Sequence, residues 1–251
     1  MLIMKNPIVE IKNLSFSYNG KKVLENINLD IMPKDFIAMI GPNGGGKTTL
    51  LKLILGLIRP DQGIIKSQFA INSSTSIGYV PQNILVNQNF PINVMDIVLM
   101  GKENKKKRFW HNLNNNKKEA QQALERLEMD KYANKKINEL SGGQLQRVYI
   151  ARALVTKPEL MLLDEPSSNL DTKGKKKLFQ LLELLNKDIT IVIVSHDFFL
   201  ISKYIKSAVC LNKNLHYHSH KELTGSVLEN IYDCSVEEVC SVQCKPNSKQ
   251  G

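Results

Sequence analysis

The chain has 251 residues, with 34 Lys and Arg against 24 Asp and Glu, a formal net charge of +10 and a pI near 9.3. That length buries a substantial core without disulfides and fits one large domain or two small ones. The positive excess sits in the runs Lys102–Arg108 and Lys173–Lys177, which lack the interleaved aromatics of a base-stacking surface, so solvated faces are expected and no nucleic-acid partner.

Cys210, Cys234, Cys240 and Cys244 all lie in the last quarter, unlike a disulfide framework, and imply reduced thiols in the cytosol. Met1–Glu10 has no basic start, long apolar stretch or small-residue cleavage site, so export is not expected. The most hydrophobic stretch, Ile189–Ile201, is broken by Ser195, His196 and Asp197 and is not expected to span a membrane.

In chain order, short strands are predicted over Ile8–Lys12 and Ile27–Ile31, with a turn at Asn19-Gly20 between them, forming a small antiparallel sheet. Phe36–Ile40 reads as a buried strand, followed by a glycine-rich turn and a helix over Lys47–Leu57. From Val94 to Asn138 apolar strands give way to amphipathic helical patterns, with Leu124, Leu127 and Met129 on one side of a charged helix. Within it, Lys102–Lys118 is rich in Lys and Asn and predicts a mobile loop anchored by Phe109 and Trp110. Buried strands return at Leu160–Leu163 and Thr190–Val194, each with helical sequence beyond. Buried strands alternating with helices predict a mainly parallel sheet covered on both faces. After Asn214 periodicity is lost, and a disordered tail is expected at 241–251.

The first chemistry-bearing element is Gly41-Pro42-Asn43-Gly44-Gly45-Gly46-Lys47-Thr48, which fits G-x-x-x-x-G-K-[ST] between a predicted strand and helix. Glycines let backbone N–H groups turn inward around phosphate oxygens, and the positive end of the helix dipole faces the same anion. Lys47 is expected at the β and γ phosphates, Thr48 at magnesium, and Thr49 within the same nucleotide site. The second element is Leu160–Glu165, a buried strand delivering Asp164 to the magnesium shell and Glu165 to the attacking water, as general base or to orient it. A nucleoside triphosphate site with Mg2+ is the expectation.

Leu140-Ser141-Gly142-Gly143-Gln144-Leu145-Gln146-Arg147 resembles the LSGGQ signature of ABC ATPases, with Ser141 placed to cap the following helix. The resemblance runs from Ile8 to about Leu211 and implies an α/β P-loop NTPase core with a mainly parallel sheet, an N-terminal antiparallel β-subdomain and a helical subdomain inserted at about 83–140. The nucleotide-binding domain would cover 7–240. The resemblance also implies roles for further residues. Tyr18 corresponds to the aromatic that stacks on adenine, and Gln82 to the glutamine that senses magnesium and links core to helical subdomain. Asp171, in Ser167–Asp171, corresponds to a loop contacting the other subunit, although Asn169 replaces the more usual small apolar residue. His196 corresponds to the histidine that contacts the γ-phosphate. In the family the signature, here Ser141, Gly142, Gly143 and Gln144, reaches the γ-phosphate held by a second copy, which implies a head-to-tail homodimer with ATP at its interface.

A single nucleotide-binding unit resembles importer architecture, with a separate integral-membrane permease, an extracytoplasmic substrate-binding protein, and this chain at the cytoplasmic face of the membrane. Phe90–Val94, Val98–Gly101 and Cys210–His216 resemble the zinc and manganese uptake branch, giving zinc as the first expected cargo and manganese or iron as the second. Iron-siderophore or cobalamin uptake remains open, as does a non-transport ABC ATPase acting on nucleic acid or ribosomes. His216, His218 and His220 alternate and would share one face of a strand, within reach of a divalent ion or simply exposed.

Overall fold

A computed structural model describes residues 6–69, 77–82, 91–102 and 113–219. Two compact units are formed, one by residues up to Gln68 together with those from His196 onward, the other by Phe69–Ser195.

The first unit begins with an antiparallel sheet in the order β2-β1-β4, built from β1 (Val9–Tyr18), β2 (Lys21–Ile31) and β4 (Gln62–Ser67). Val9, Ile11, Leu14 and Phe16 of β1 are buried; a register shift between Ile11 and Leu14 keeps the apolar residues inward although their spacing changes parity. Asn19 and Gly20 both stand at positive φ (48° and 79°), as a two-residue hairpin requires. The ladder therefore closes up to Tyr18↔Lys21, well beyond the short strands expected from the sequence.

In the same unit β3 (Phe36–Ile40) is buried at every position and lies parallel to β8 (Ser207–Asn212). On the other side of β8, β9 (Asn214–Ser219) pairs antiparallel through a turn at Lys213, φ 58°. Although clear periodicity is not expected after Asn214, the chain continues as a regular strand to Ser219, held by its backbone ladder to β8. Helix α1 (Lys47–Ile54) ends before the expected Leu57, because Gly56 at φ 69° and the bonds Gly56 N–H to Leu53 O and Leu57 N–H to Lys52 O close it as a Schellman turn.

The second unit holds the parallel strands β5 (Ile77–Val80), β6 (Leu160–Asp164) and β7 (Thr190–Val194), in the order β5-β6-β7. Every residue of β6 and β7 is buried, the pattern of a parallel sheet. With them pack α2 (Val94–Leu99), α3 (Leu113–Arg126), α4 (Gly142–Leu154) and α5 (Thr172–Asn186), so the helices expected near 83–140 share one compact unit with three core strands. Ala120, Ala123, Leu124 and Leu127 are buried at helical spacing, and Met129 joins them beyond the helix end. The loop expected over Lys102–Lys118 is overturned from Leu113 onward, where α3 has begun; Phe109 and Trp110 lie outside the described residues. A short helix, α6 (Phe198–Ile201), returns the chain to the first unit. Among the described residues no helix is long and apolar enough to cross a membrane.

Candidate functional site

The glycine-rich turn leaves β3 and enters α1 as the sequence requires, with Gly46 as the N-cap residue of the helix at φ 96°. A Cβ at Gly46 would stand 2.6 Å from Leu24 Cδ2, and one at Gly41 would stand 2.0 Å from the Leu211 carbonyl oxygen. Glycine suits both positions, for its left-handed conformation and the packed Leu24 side chain at Gly46 and for close backbone approach at Gly41. Lys47 is buried, and its Nζ donates to the carbonyl oxygens of Gly41 and Pro42, each at 2.8 Å. The ammonium is thus drawn back over the loop that Gly41, Pro42, Asn43, Gly44 and Gly45 form, beside the amides of the α1 N-terminus. Thr48 is half-buried and Thr49 buried in the first turn of that helix. A loop of inward amides with a buried ammonium binds phosphate oxygens. Elsewhere in this unit Tyr18 ends β1, 44% exposed and edge-on to Phe16, with ring centroids 4.7 Å apart. An exposed ring braced on one side keeps a face available for stacking. His196 is exposed where the chain re-enters the unit.

In the second unit Asp164 ends β6 and is buried, while Glu165 follows at φ 49°, a left-handed conformation unfavourable to a residue with a side chain. Its N–H donates to Val194 O at 3.0 Å, which fixes the turn. Strain held in place at a strand end is a recurrent property of functional carboxylates. Gln82, just beyond β5, donates from Nε2 to Glu165 Oε2 at 2.7 Å, so two residues far apart in sequence meet in a pairing the sequence did not announce. Burial first, and then the negative charge of Asp164, raises the Tyr79 hydroxyl above its ordinary pKa; Tyr79 escaped the sequence reading.

The signature begins α4 with a reciprocal capping box: Gln144 N–H donates to Ser141 Oγ at 3.3 Å, and Ser141 N–H donates to Gln144 Oε1 at 2.9 Å. Because Ser141 Oγ accepts, its own hydrogen is left to donate elsewhere. Gly142 and Gly143 lie on the same side, each close to the Asn169-Leu170 turn. Asp171 caps α5, its Oδ1 accepting from Gly174 N–H at 2.8 Å. Signature and α5 cap line one open cleft of about 600 Å³, together with Glu128, Arg147 and Lys177. Glu128 was not anticipated: it accepts from Lys177 at 2.7 Å and Arg147 at 3.2 Å, and these bonds, with Lys177 the larger influence, hold its carboxyl below the ordinary range.

His216 and His218 share one face of β9, opposite Cys210 and Ala208, with His218 buried; His220, Cys234, Cys240 and Cys244 lie outside the described residues. Among the described residues, no group of three or more His, Cys, Asp and Glu is arranged to hold a metal ion.

A profile described as ABC transporter matches residues 24–168, more than half of the chain. The zinc uptake system ATP-binding protein ZurA of Listeria innocua is 40% identical, over 87% of this chain and 91% of its own length. The manganese transport system ATP-binding protein MntB of Halalkalibacterium halodurans is 38% identical, over 84% and 85%. Among solved structures, an inward-facing conformation assigned to a metal-chelate type ABC transporter superposes with a TM-score of 0.79 at 33% identity, covering 90% of this chain and 89% of that one. A dimeric post-hydrolysis ATP-binding cassette with ADP and Pi gives 0.69 at 30%, covering 84% and 98%. With the phosphate loop, acidic strand end and signature all in place, the chain belongs to the ABC transporter family, as one of its ATP-binding, ATP-hydrolysing members.

Proposed function

We propose that this chain energises a divalent-metal importer, zinc being the first cargo and manganese or iron the second. The cargo reading rests on near full-length similarity to a zinc-uptake subunit, supported by the uptake-branch segments Val98–Gly101 and Cys210–His216. The likeness to a manganese-transport subunit keeps manganese as the second reading.

In the mechanism, the amides of Gly41 to Gly46 and the Lys47 ammonium hold the β and γ phosphates, Tyr18 stacks on adenine, and Thr49 belongs to the nucleotide-binding turn. Thr48, Asp164 and Gln82 offer hydroxyl, carboxylate and amide oxygens, the hard donors that suit Mg2+, which when bound neutralises charge on the phosphates. Glu165 accepts a proton from water as the water oxygen bonds to the γ-phosphorus and the bond to the β–γ bridging oxygen breaks. His196 donates to the γ-phosphate. The observation that carries this assignment is the Glu165 carboxylate, set at a strained strand end and bonded to Gln82 at 2.7 Å.

Ser141, Gly142, Gly143 and Gln144 meet the γ-phosphate held by a second copy, with Asp171 beside that interface, so the working state is a head-to-tail homodimer. The similarity to a dimeric cassette supports this reading. The dimer docks on an integral-membrane permease at the cytoplasmic face, and an extracytoplasmic binding protein delivers the metal. Deleting the gene is expected to lower cellular zinc accumulation in zinc-poor medium and complementation to restore it. Normal zinc with reduced manganese would move the assignment to manganese, and normal uptake of both would sink the metal reading.

A further inference from the structure

Glu128 terminates α3 at φ 58°, with its own N–H bonded to Glu125 O and the next residue's N–H bonded to Leu124 O. Glycine meets that backbone demand best, since any Cβ is strained in the left-handed region. Glutamate occupies the position, and its carboxylate joins two other elements: Oε2 accepts from Arg147 of α4 at 3.2 Å and from Lys177 of α5 at 2.7 Å. Both helices begin in the cleft that Glu128 lines, α4 at the signature cap Ser141 and α5 at the cap Asp171. Glu128 and Lys177 are about half exposed, at 53% and 51%, whereas Arg147 is covered, at 15%. Half-exposed ion pairs contribute little to stability, so stability does not account for a strained glutamate here. Its distinctive property is geometric: one carboxylate fixes two helix starts.

We propose that Glu128 is a positioning residue for the signature loop, clasping α4 to α5 so that Ser141–Gln144 is presented in one geometry. The inference rests on the reading of that loop as a nucleotide contact. Glu128 touches no reacting atom; it acts through Arg147 and the α4 helix.

The test uses the purified full chain. Glu128→Gly relieves the backbone and deletes the clasp, so its thermal midpoint is expected at or above the parental value while kcat for ATP falls about two- to fivefold, the range open to a half-exposed pair. Glu128→Gln keeps an acceptor oxygen and is expected to retain most activity. Combining Glu128→Gly with Arg147→Ala is expected to cost no more than the larger single change, as for residues acting as one unit. Parental kcat in Glu128→Gly, additive losses in the double variant, or a fall in kcat that merely follows a fall in thermal midpoint would each overturn the clasp. Lys47→Ala runs alongside: its full activity would fault the site reading itself, whereas an inactive Lys47→Ala beside a fully active Glu128→Gly faults the clasp alone.

Discussion

Lys47 and Ser141 do opposite kinds of work with the same economy of hydrogen bonds. The Lys47 ammonium is held over its loop by two carbonyls, whereas Ser141 accepts from Gln144 N–H and keeps its hydroxyl hydrogen to offer. Ser141→Ala is therefore expected to lower stability by about 1 kcal/mol through loss of the cap and to reduce ATP turnover. Gln144→Glu should keep the capped stability, because the capping box uses only the side-chain oxygen. Denaturant unfolding of both variants checks this; equal stability of Ser141→Ala and the parent would mean the cap contributes nothing. The phosphate loop, Asp164-Glu165 and the signature were legible because each is a continuous run whose chemistry is local. Glu128 was not, since its partners lie in two other helices and nothing in an acidic residue after an amphipathic helix announces them.

At the scale of elements, α4 is held near its far end as well. Glu119 of α3 accepts from Lys102, beyond α2, at 2.5 Å and from Lys157, beyond α4, at 2.8 Å. Gly101 approaches so closely that a Cβ there would meet Arg152 O at 2.2 Å. The hydrogen bond from Lys102, then that from Lys157, depresses the Glu119 pKa below the ordinary glutamate value. A depressed carboxyl contributes stability that is fully present above its unfolded pKa and is lost as pH falls through the folded pKa. Glu119→Gln is thus expected to be less stable than the parent by about 1 kcal/mol at neutral pH, with the gap closing in that acidic window. Thermal melts across pH decide it; a gap independent of pH would contradict an ionic origin. The elements themselves were unevenly legible. Apolar strands such as Phe36–Ile40 stood out, but β4 carries mostly exposed residues and β9 is a short segment in which Leu215 and Tyr217 alternate with polar residues, so pairing with β1 and β8 is what makes them strands. The loop expected up to Lys118 failed because asparagine and lysine are poor evidence against a helix whose buried face begins only at Ala120.

For the whole molecule, the two units divide the chemistry: phosphate loop, Tyr18 and His196 in one, Gln82, Asp164, Glu165 and the signature in the other. An ATPase built this way is expected to turn over only when nucleotide recruits every part, including a second copy's signature. The most direct measurement is steady-state Mg-ATP hydrolysis by the purified chain beside Lys47→Ala and Glu165→Gln, with gel filtration of each in Mg-ATP. Hydrolysis lost in both variants by about a hundredfold or more, with an ATP-dependent dimer trapped by Glu165→Gln, is the predicted result. Parental hydrolysis in both would contradict the assignment of Lys47 and Glu165 and, with it, the account of how this chain uses ATP.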